Sequence, residues 1–106
     1  MAKYLFQVNY VGDGIKGLLK DGGSKRQAVV EKLFKSHGGT IEAFYYAFGD
    51  DDLFVIFDLP DNLSATVASL IVNASGAAKV RVTVLLTPEE VDKAAKKTVE
   101  YSPPGQ

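Results

Sequence analysis

The sequence predicts an α+β domain, and three observations lead to that class. Two segments alternate large apolar residues with a more polar set at a period of two, and two further runs are rich in aromatic and β-branched residues, so four strands are predicted. Two longer segments repeat apolar residues at helical spacing, and a Gly/Asp cluster joins the middle two strands as a hairpin. The order βαββαβ, with right-handed crossovers, predicts a four-stranded antiparallel sheet with both helices on one face, the ferredoxin-like arrangement.

Length and composition narrow the classes of function. A chain of 106 residues with 46% hydrophobic residues can bury a core in one domain, which we place at residues 1–99, followed by a loose tail at 100–106. The chain has no cysteine, so disulfides and thiolate chemistry are excluded and a cytoplasmic location is expected. With twelve basic and 13 acidic residues, the chain lacks the excess positive charge that binding to nucleic acid or an anionic membrane surface requires. No targeting or membrane-spanning segment is recognisable.

The first strand is predicted over Lys3 to Val11. The segment Gly12–Gly17 follows it and matches the spacing G-x-G-x-x-G. In dinucleotide-binding proteins those glycines open a long helix inside a larger parallel sheet, whereas the helical pattern here ends near Gly22. We therefore interpret this segment as a flexible connection between strand and helix rather than a nucleotide site.

The first long helix is predicted from Lys25 to His37. Ser24 and Gln27 have the spacing of a capping box, and Gly38 suits the position just past the helix end. His37, the only histidine, falls in the last turn. A structural position at the helix end is the favoured interpretation, and a ligand or general-base role is the alternative.

The segment from Gly39 to Pro60 is predicted to form a β-hairpin at the centre of the fold. Two runs rich in aromatic and β-branched residues flank Gly49-Asp50-Asp51-Asp52. Such a turn needs either a positive φ, which Gly49 would supply, or local bonding by side chains. Both runs are apolar at nearly every position, so the sequence leaves open which face of the hairpin meets the helices. Consecutive aspartates point in different directions and suit a turn better than a cation site, so we expect no metal and no cofactor.

A second helix and a fourth strand follow the hairpin. Asp61 or Asn62 is expected to cap the helix, whose apolar positions recur at helical spacing. Those apolar positions are Leu63, Val67, Leu70, Ile71 and Ala74. The strand spans 78–87, and a last helix begins with a capping box at Thr87 and Glu90. Its thin apolar stripe predicts a surface appendage or an arm that crosses to a partner subunit.

One face of the predicted sheet has no helix over it. We place on this face three residues of the first strand and three of the fourth, together with aromatic residues of the hairpin. The six residues are Leu5, Gln7, Asn9, Arg81, Thr83 and Leu85. A small protein rarely exposes such a surface, so we expect a homodimer or larger homo-oligomer. Polar groups converging in an apolar cleft fix ligands, and Gln7, Asn9, Tyr46 and Arg81 are therefore the candidate ligand-binding residues.

The hairpin resembles the GYD domain, a bacterial family named for a Gly-x-Tyr-Asp segment at this place. The likeness runs over residues 3–88 and includes Gly14-Ile15-Lys16 and the fourth strand. Gly49 and Asp52 match the family motif, whereas Asp51 stands in the position of the tyrosine. The resemblance implies a relation to the dimeric α/β barrels, in which two ferredoxin-like sheets pack face to face around a cavity. It implies no particular activity.

Three classes of function follow from these patterns. The first is a domain that self-associates through its sheet and binds a small apolar or aromatic molecule between sheets, with no catalytic residue identified. The second is an architectural or protein-interaction module without a ligand. The third is nucleic-acid binding, because RRM domains share the βαββαβ order and Phe54-Val55-Ile56-Phe57 matches the end of their RNP1 motif. Three aspartates beside that strand would repel phosphate, so we expect no nucleic acid as a partner.

Overall fold

The computed structural model describes residues 2–106, in which four strands and four helices are formed. The elements follow in the order β1 (Ala2–Tyr10), α1 (Gly12–Asp21), α2 (Gly23–Ser36), β2 (Thr40–Tyr46), β3 (Leu53–Leu59), α3 (Asn62–Ala74), β4 (Ala78–Leu85) and α4 (Pro88–Ala95). The strands form one antiparallel sheet in the order β2-β3-β1-β4. This arrangement confirms the predicted ferredoxin-like fold. None of the helices in residues 2–106 has the length and hydrophobicity that a bilayer crossing requires.

The core lies between the sheet and the helices, and we call this side of the sheet the helix face. Tyr4, Phe6 and Val8 of β1 are opposite Phe57, Val55 and Leu53 of β3, and all six side chains are buried. The Phe34 ring of α2 stacks on Phe57 with centroids 3.7 Å apart, and the edge of Phe6 meets both rings. Period-two alternation in the central strands therefore gives one dry face.

The hairpin of β2 and β3 is also confirmed, with one irregularity. Residues pair in a regular register from Phe44 to Tyr46, but the register shifts between Ile41 and Ala43. This is a β-bulge, in which two residues of one strand oppose one residue of the other. Ile41 consequently faces the core while Ala43 lies opposite Ile56 on the other side of the sheet.

The predicted flexible connection at Gly12–Gly17 is wrong, because these residues begin helix α1. The amide of Val11 donates to the carbonyl of Ala77 at 3.0 Å, which fixes the chain where the helix starts. A Cβ on Gly14 would lie 1.9 Å from the same carbonyl oxygen, so only glycine permits this approach. The glycine spacing suggests a flexible loop because the contact between Gly14 and the distant Ala77 leaves no pattern in the local sequence.

The predicted cap of the next helix is also wrong. Helix α2 begins at Gly23 rather than Lys25, and its N-cap is Gly22, with φ 81° and no side-chain capping bond. Ser24 therefore lies inside the first turn, and Gln27 donates to Glu31 at 3.2 Å instead of closing a capping box. The ring of Tyr46 packs so closely on Gly23 that a Cβ there would approach it to 2.9 Å. The first turn of α2 therefore packs directly against this ring.

The apolar stripe expected to pack helix α3 on the sheet points elsewhere. Ala65 and Ala68 are the buried residues of this helix, whereas Leu63 is 71% exposed and Leu70 is 65% exposed. Small side chains let the helix approach the strands closely, so the larger apolar residues are turned outward. The N-cap is Asp61, as expected, and its carboxylate accepts from the amide of Ser64 at 2.9 Å. The capping box of Thr87 and Glu90 in α4 is likewise confirmed.

The hairpin turn does not use Gly49 as expected. Its φ lies outside the left-handed region, and a Cβ on Gly49 would meet nothing within 4 Å. Phe48 adopts that region instead, with φ 54°, and its ring stacks on Tyr46 with centroids 5.9 Å apart. Stacking on a neighbouring ring helps to offset the cost of this conformation.

Gly49→Val should therefore change stability little. We expect the free energy of unfolding to stay within about 0.5 kcal/mol of the parent protein, because the new side chain meets open space without φ strain. Thermal or urea denaturation of the two proteins measures the difference. A loss of about 1 to 2 kcal/mol would instead indicate that the turn requires a left-handed glycine at this position.

Candidate functional site

The face of the sheet opposite the helices is the candidate site, and we call it the open face. Its centre is apolar and combines side chains from all four strands, which are partly buried or exposed. These are Leu5, Ala43, Tyr45, Phe54, Ile56 and Leu85. The strand register places Gln7 between Phe54 and Arg81, and Leu5 between Ile56 and Thr83. All six residues predicted for this face from β1 and β4 therefore lie on it.

One end of the open face carries a polar cluster around Asp51. This carboxylate is only 4% exposed, although it belongs to the hairpin turn. The amide nitrogens of Gln7 and Asn9 donate to it at 3.0 and 2.8 Å. Nη2 of Arg81 donates to both of its oxygens, at 2.9 and 2.7 Å. Three of the four predicted ligand-binding residues thus converge, but on a side chain of the protein itself.

The charge of Asp51 is stabilised by these donors. The hydrogen bond from Arg81 is the largest influence and lowers the pKa of the Asp51 carboxyl, with further lowering by Asn9 and Gln7 against the opposing effect of burial. Because the Arg81 side chain is 66% exposed, water shares in balancing its charge. The cluster therefore joins a buried anion to a cation that still reaches the solvent.

The opposite end of the open face carries a second ionic cluster. Nζ of Lys3 donates to Asp58 at 2.9 Å and to Glu42 at 3.0 Å, linking β1, β3 and β2. The hydrogen bond with Asp58 is the largest cause that raises the pKa of the Lys3 amine, followed by that with Glu42. The apolar centre of the open face is therefore framed by charged groups at both ends of the strands.

Tyr46 does not belong to the open face. The register pairs it with Leu53, a core residue, so its ring lies on the helix face. Its hydroxyl donates to the carbonyl of Gly23 at 3.1 Å, and the ring lines an apolar cavity of about 280 Å³ with Leu18, Leu19 and Phe48. Since both faces of the hairpin are apolar in sequence, periodicity alone did not determine which face Tyr46 occupies.

The two motif residues of the turn have different contacts. The Asp52 carboxylate accepts from the backbone amide of Tyr10 at 2.8 Å, and its own amide donates to the carbonyl of Val8 at 2.9 Å. The amide of Gly49 donates to the carbonyl of Asp51 at 3.2 Å. Asp52 therefore fastens the turn to the end of β1, and Asp50 alone of the three aspartates is exposed.

Sequence reasoning missed Asp51 as a member of the site. The three residues that contact it were placed together correctly, because Gln7 and Arg81 occupy one cross-strand row. Gln7, Asn9 and Arg81 all carry hydrogen-bond donors and therefore need an acceptor nearby. A carboxylate of the adjacent turn could have been proposed as that acceptor. The sequence predicts one turn for all three aspartates and does not indicate that they differ in burial.

Comparison with family models gives one relevant match, and it covers nearly the whole chain. The model of the GYD domain matches residues 4–95, a range that contains all four strands from Tyr4 onward and the capped helix α4. Neither the curated proteins nor the solved structures include a match to this chain.

Proposed function

Because the chain belongs to the GYD domain family, we propose that it is a self-associating domain in which two copies pack through their open faces. The observation that carries the proposal is the apolar centre of the open face between two ionic clusters. The helix layer covers only the other side of the sheet. Association would bury aromatic and aliphatic side chains, as in the cores of homodimer interfaces.

The framing charges support a specific orientation of the two copies. Lys3, Asp58 and Glu42 mark one end of the strands, while Arg81 marks the other with an exposed guanidinium. Charges at the rim of an interface steer association and select the register, whereas its apolar centre contributes most of the affinity. A stack of two such sheets is the arrangement of a dimeric α/β barrel.

We expect light scattering at micromolar concentration to give at least twice the monomer mass of 11.4 kDa. Ile56→Lys places a charge at the centre of the open face and should yield monomers, because an unpaired charge cannot be buried cheaply. The matched control is Val29→Lys, which adds the same charge on helix α2 and should remain associated. Circular dichroism shows whether both variants fold. A wild-type mass of 11.4 kDa would contradict the proposal.

Binding of a small apolar or aromatic molecule between the two sheets is the second candidate function. It is supported by Arg81, because only its Nη2 atom bonds Asp51 and most of the side chain is exposed. Gln7 and Asn9 would contribute through their carbonyl oxygens, since their amide nitrogens are engaged. A filled interface in a crystal of the associated protein would instead favour an architectural module.

A further inference from the structure

The helix face contains two adjoining cavities that meet at Tyr10 and Arg26. One, of about 210 Å³, lies between α2 and α3 above the sheet and is mainly apolar, with Val30, Leu53 and Ile71 in its walls. The other, of about 160 Å³, lies beneath α1. Tyr10, Arg26 and Ala77 line both cavities, so the two spaces share one polar junction.

Arg26 is the unusual group at this junction. It is partly buried, yet it takes part in none of the ion pairs within 4.0 Å among residues 2–106. Asp13 and Asp21 line the cavity under α1, but Asp21 pairs with Lys25 at 3.7 Å. Burying a guanidinium without a charged partner costs free energy. An anion that binds beside Arg26 would offset this cost with a charge-assisted hydrogen bond.

Two tyrosines lie beside Arg26, and each makes a hydrogen bond to another part of the protein. Asp52 fixes the backbone of Tyr10, and the carbonyl of Gly23 fixes the hydroxyl of Tyr46. Burial is the largest cause that raises the pKa of both phenols. The charge of the Arg26 guanidinium acts in the opposite direction on each, and a hydrogen bond from Arg26 further lowers the pKa of Tyr10. Both hydroxyls therefore keep their protons at neutral pH, and the Tyr10 hydroxyl can donate to an anion.

We propose that this junction binds a small molecule with one carboxylate and an apolar chain or ring. The carboxylate pairs with the guanidinium of Arg26 and accepts from the hydroxyl of Tyr10. The apolar part occupies the cavity between α2 and α3. Asp13 and Asp21 would repel a dianion more strongly than a monoanion, which favours a carboxylate over a phosphate ester. This site lies on the helix face and is independent of association through the open face.

Octanoate tests the proposal, with octan-1-ol and butyrate as controls that lack the charge or the apolar length. Calorimetry on the full chain at neutral pH should give a dissociation constant for octanoate below about 1 mM, with both controls binding more weakly. Arg26→Gln should weaken octanoate about ten-fold to a hundred-fold, the range for a charge-assisted hydrogen bond, and leave octan-1-ol unchanged. Asp13→Asn should strengthen octanoate binding by removing a nearby negative charge.

Matched variants distinguish binding at the junction from binding elsewhere on the protein. Lys32→Gln removes an exposed positive charge from the same helix, outside the junction, and should keep octanoate affinity within about two-fold, as expected for an exposed charge. Tyr10→Phe removes only the hydroxyl and gives a second test should Arg26→Gln fold poorly. Ile56→Lys should leave octanoate binding intact even when it abolishes association.

Three outcomes would overturn the proposal. Octanoate that gives no heat at millimolar concentration excludes the site, and equal affinities for octanoate and octan-1-ol reduce it to an apolar groove. Loss of octanoate binding in Ile56→Lys, with affinity retained in Arg26→Gln, would place the ligand between sheets instead. Light scattering of Arg26→Gln should match the parent protein, so failure of this proposal and failure of self-association are distinguishable.

Discussion

Gly14→Ala is expected to lower the free energy of unfolding by about 3 kcal/mol, the upper part of the range for overpacking a filled site. The new Cβ would lie 1.9 Å from the carbonyl oxygen of Ala77 and 2.8 Å from its carbon, and both are backbone atoms that cannot rotate away. The start of α1 or the segment before β4 must therefore move. For a chain of this size the thermal midpoint should fall by roughly 15 °C.

Gly17→Ala is the matched control within the same helix. A Cβ on Gly17 would meet nothing within 4 Å, so alanine adds only its helix propensity. We expect a gain of about 0.5 to 1 kcal/mol in the free energy of unfolding. Calorimetric or urea unfolding of the two variants should thus shift in opposite directions. Equal stability of Gly14→Ala and the parent protein would show that α1 does not begin against Ala77.

Removing the Asp51 carboxylate should destabilise the end of the open face that carries the Asp51 cluster. In Asp51→Ala the amides of Gln7 and Asn9 lose an acceptor and Arg81 loses its only ion pair within residues 2–106. We expect a lower thermal midpoint than in the parent protein, and the control Asp50→Ala should stay close to the parent because Asp50 is exposed. Equal midpoints for the two variants would show that the cluster adds nothing to stability.

The same carboxylate should make stability depend on pH. Its pKa is lower in the folded protein than the ordinary value of 3.8, so folding favours the charged form. The stabilisation is complete above the unfolded value and is lost as the pH falls below 3.8 through the folded pKa. Asp51→Asn should show a shallower loss of stability in this acid range. Parallel pH profiles of thermal midpoints for the parent protein and this variant would contradict the assignment.

Much of the sheet could be predicted from sequence because alternation in β1 and β4 assigns each side chain to a face. The hairpin was located correctly, but its faces were not, since β2 and β3 are apolar in both alternating sets. The pairing of β3 with β1 resolves this ambiguity. Leu53 pairs with the core residue Val8, and Tyr46 pairs with Leu53, so Tyr46 lies on the helix face. That pairing connects distant segments and leaves no local pattern.

The helices departed from expectation where close approach decided the outcome. A Cβ on Gly14 would collide with a backbone carbonyl, and a Cβ on Gly23 would force the ring of Tyr46 to shift. Ala65 and Ala68 bring α3 near the sheet, although larger apolar residues on another side of the helix suggested a different packing face. Periodicity counts hydrophobic residues, whereas packing also depends on how near two backbones can come.

The bulge between Ile41 and Ala43 falls in β2, an outermost strand of the sheet. Such a strand presents backbone donors and acceptors on which an additional chain could assemble, as in fibrils. The extra residue interrupts the even spacing that an incoming strand needs, so its ladder would be broken at this point. The bulge thus disfavours the addition of a further strand to this edge of the sheet, and with it templated aggregation.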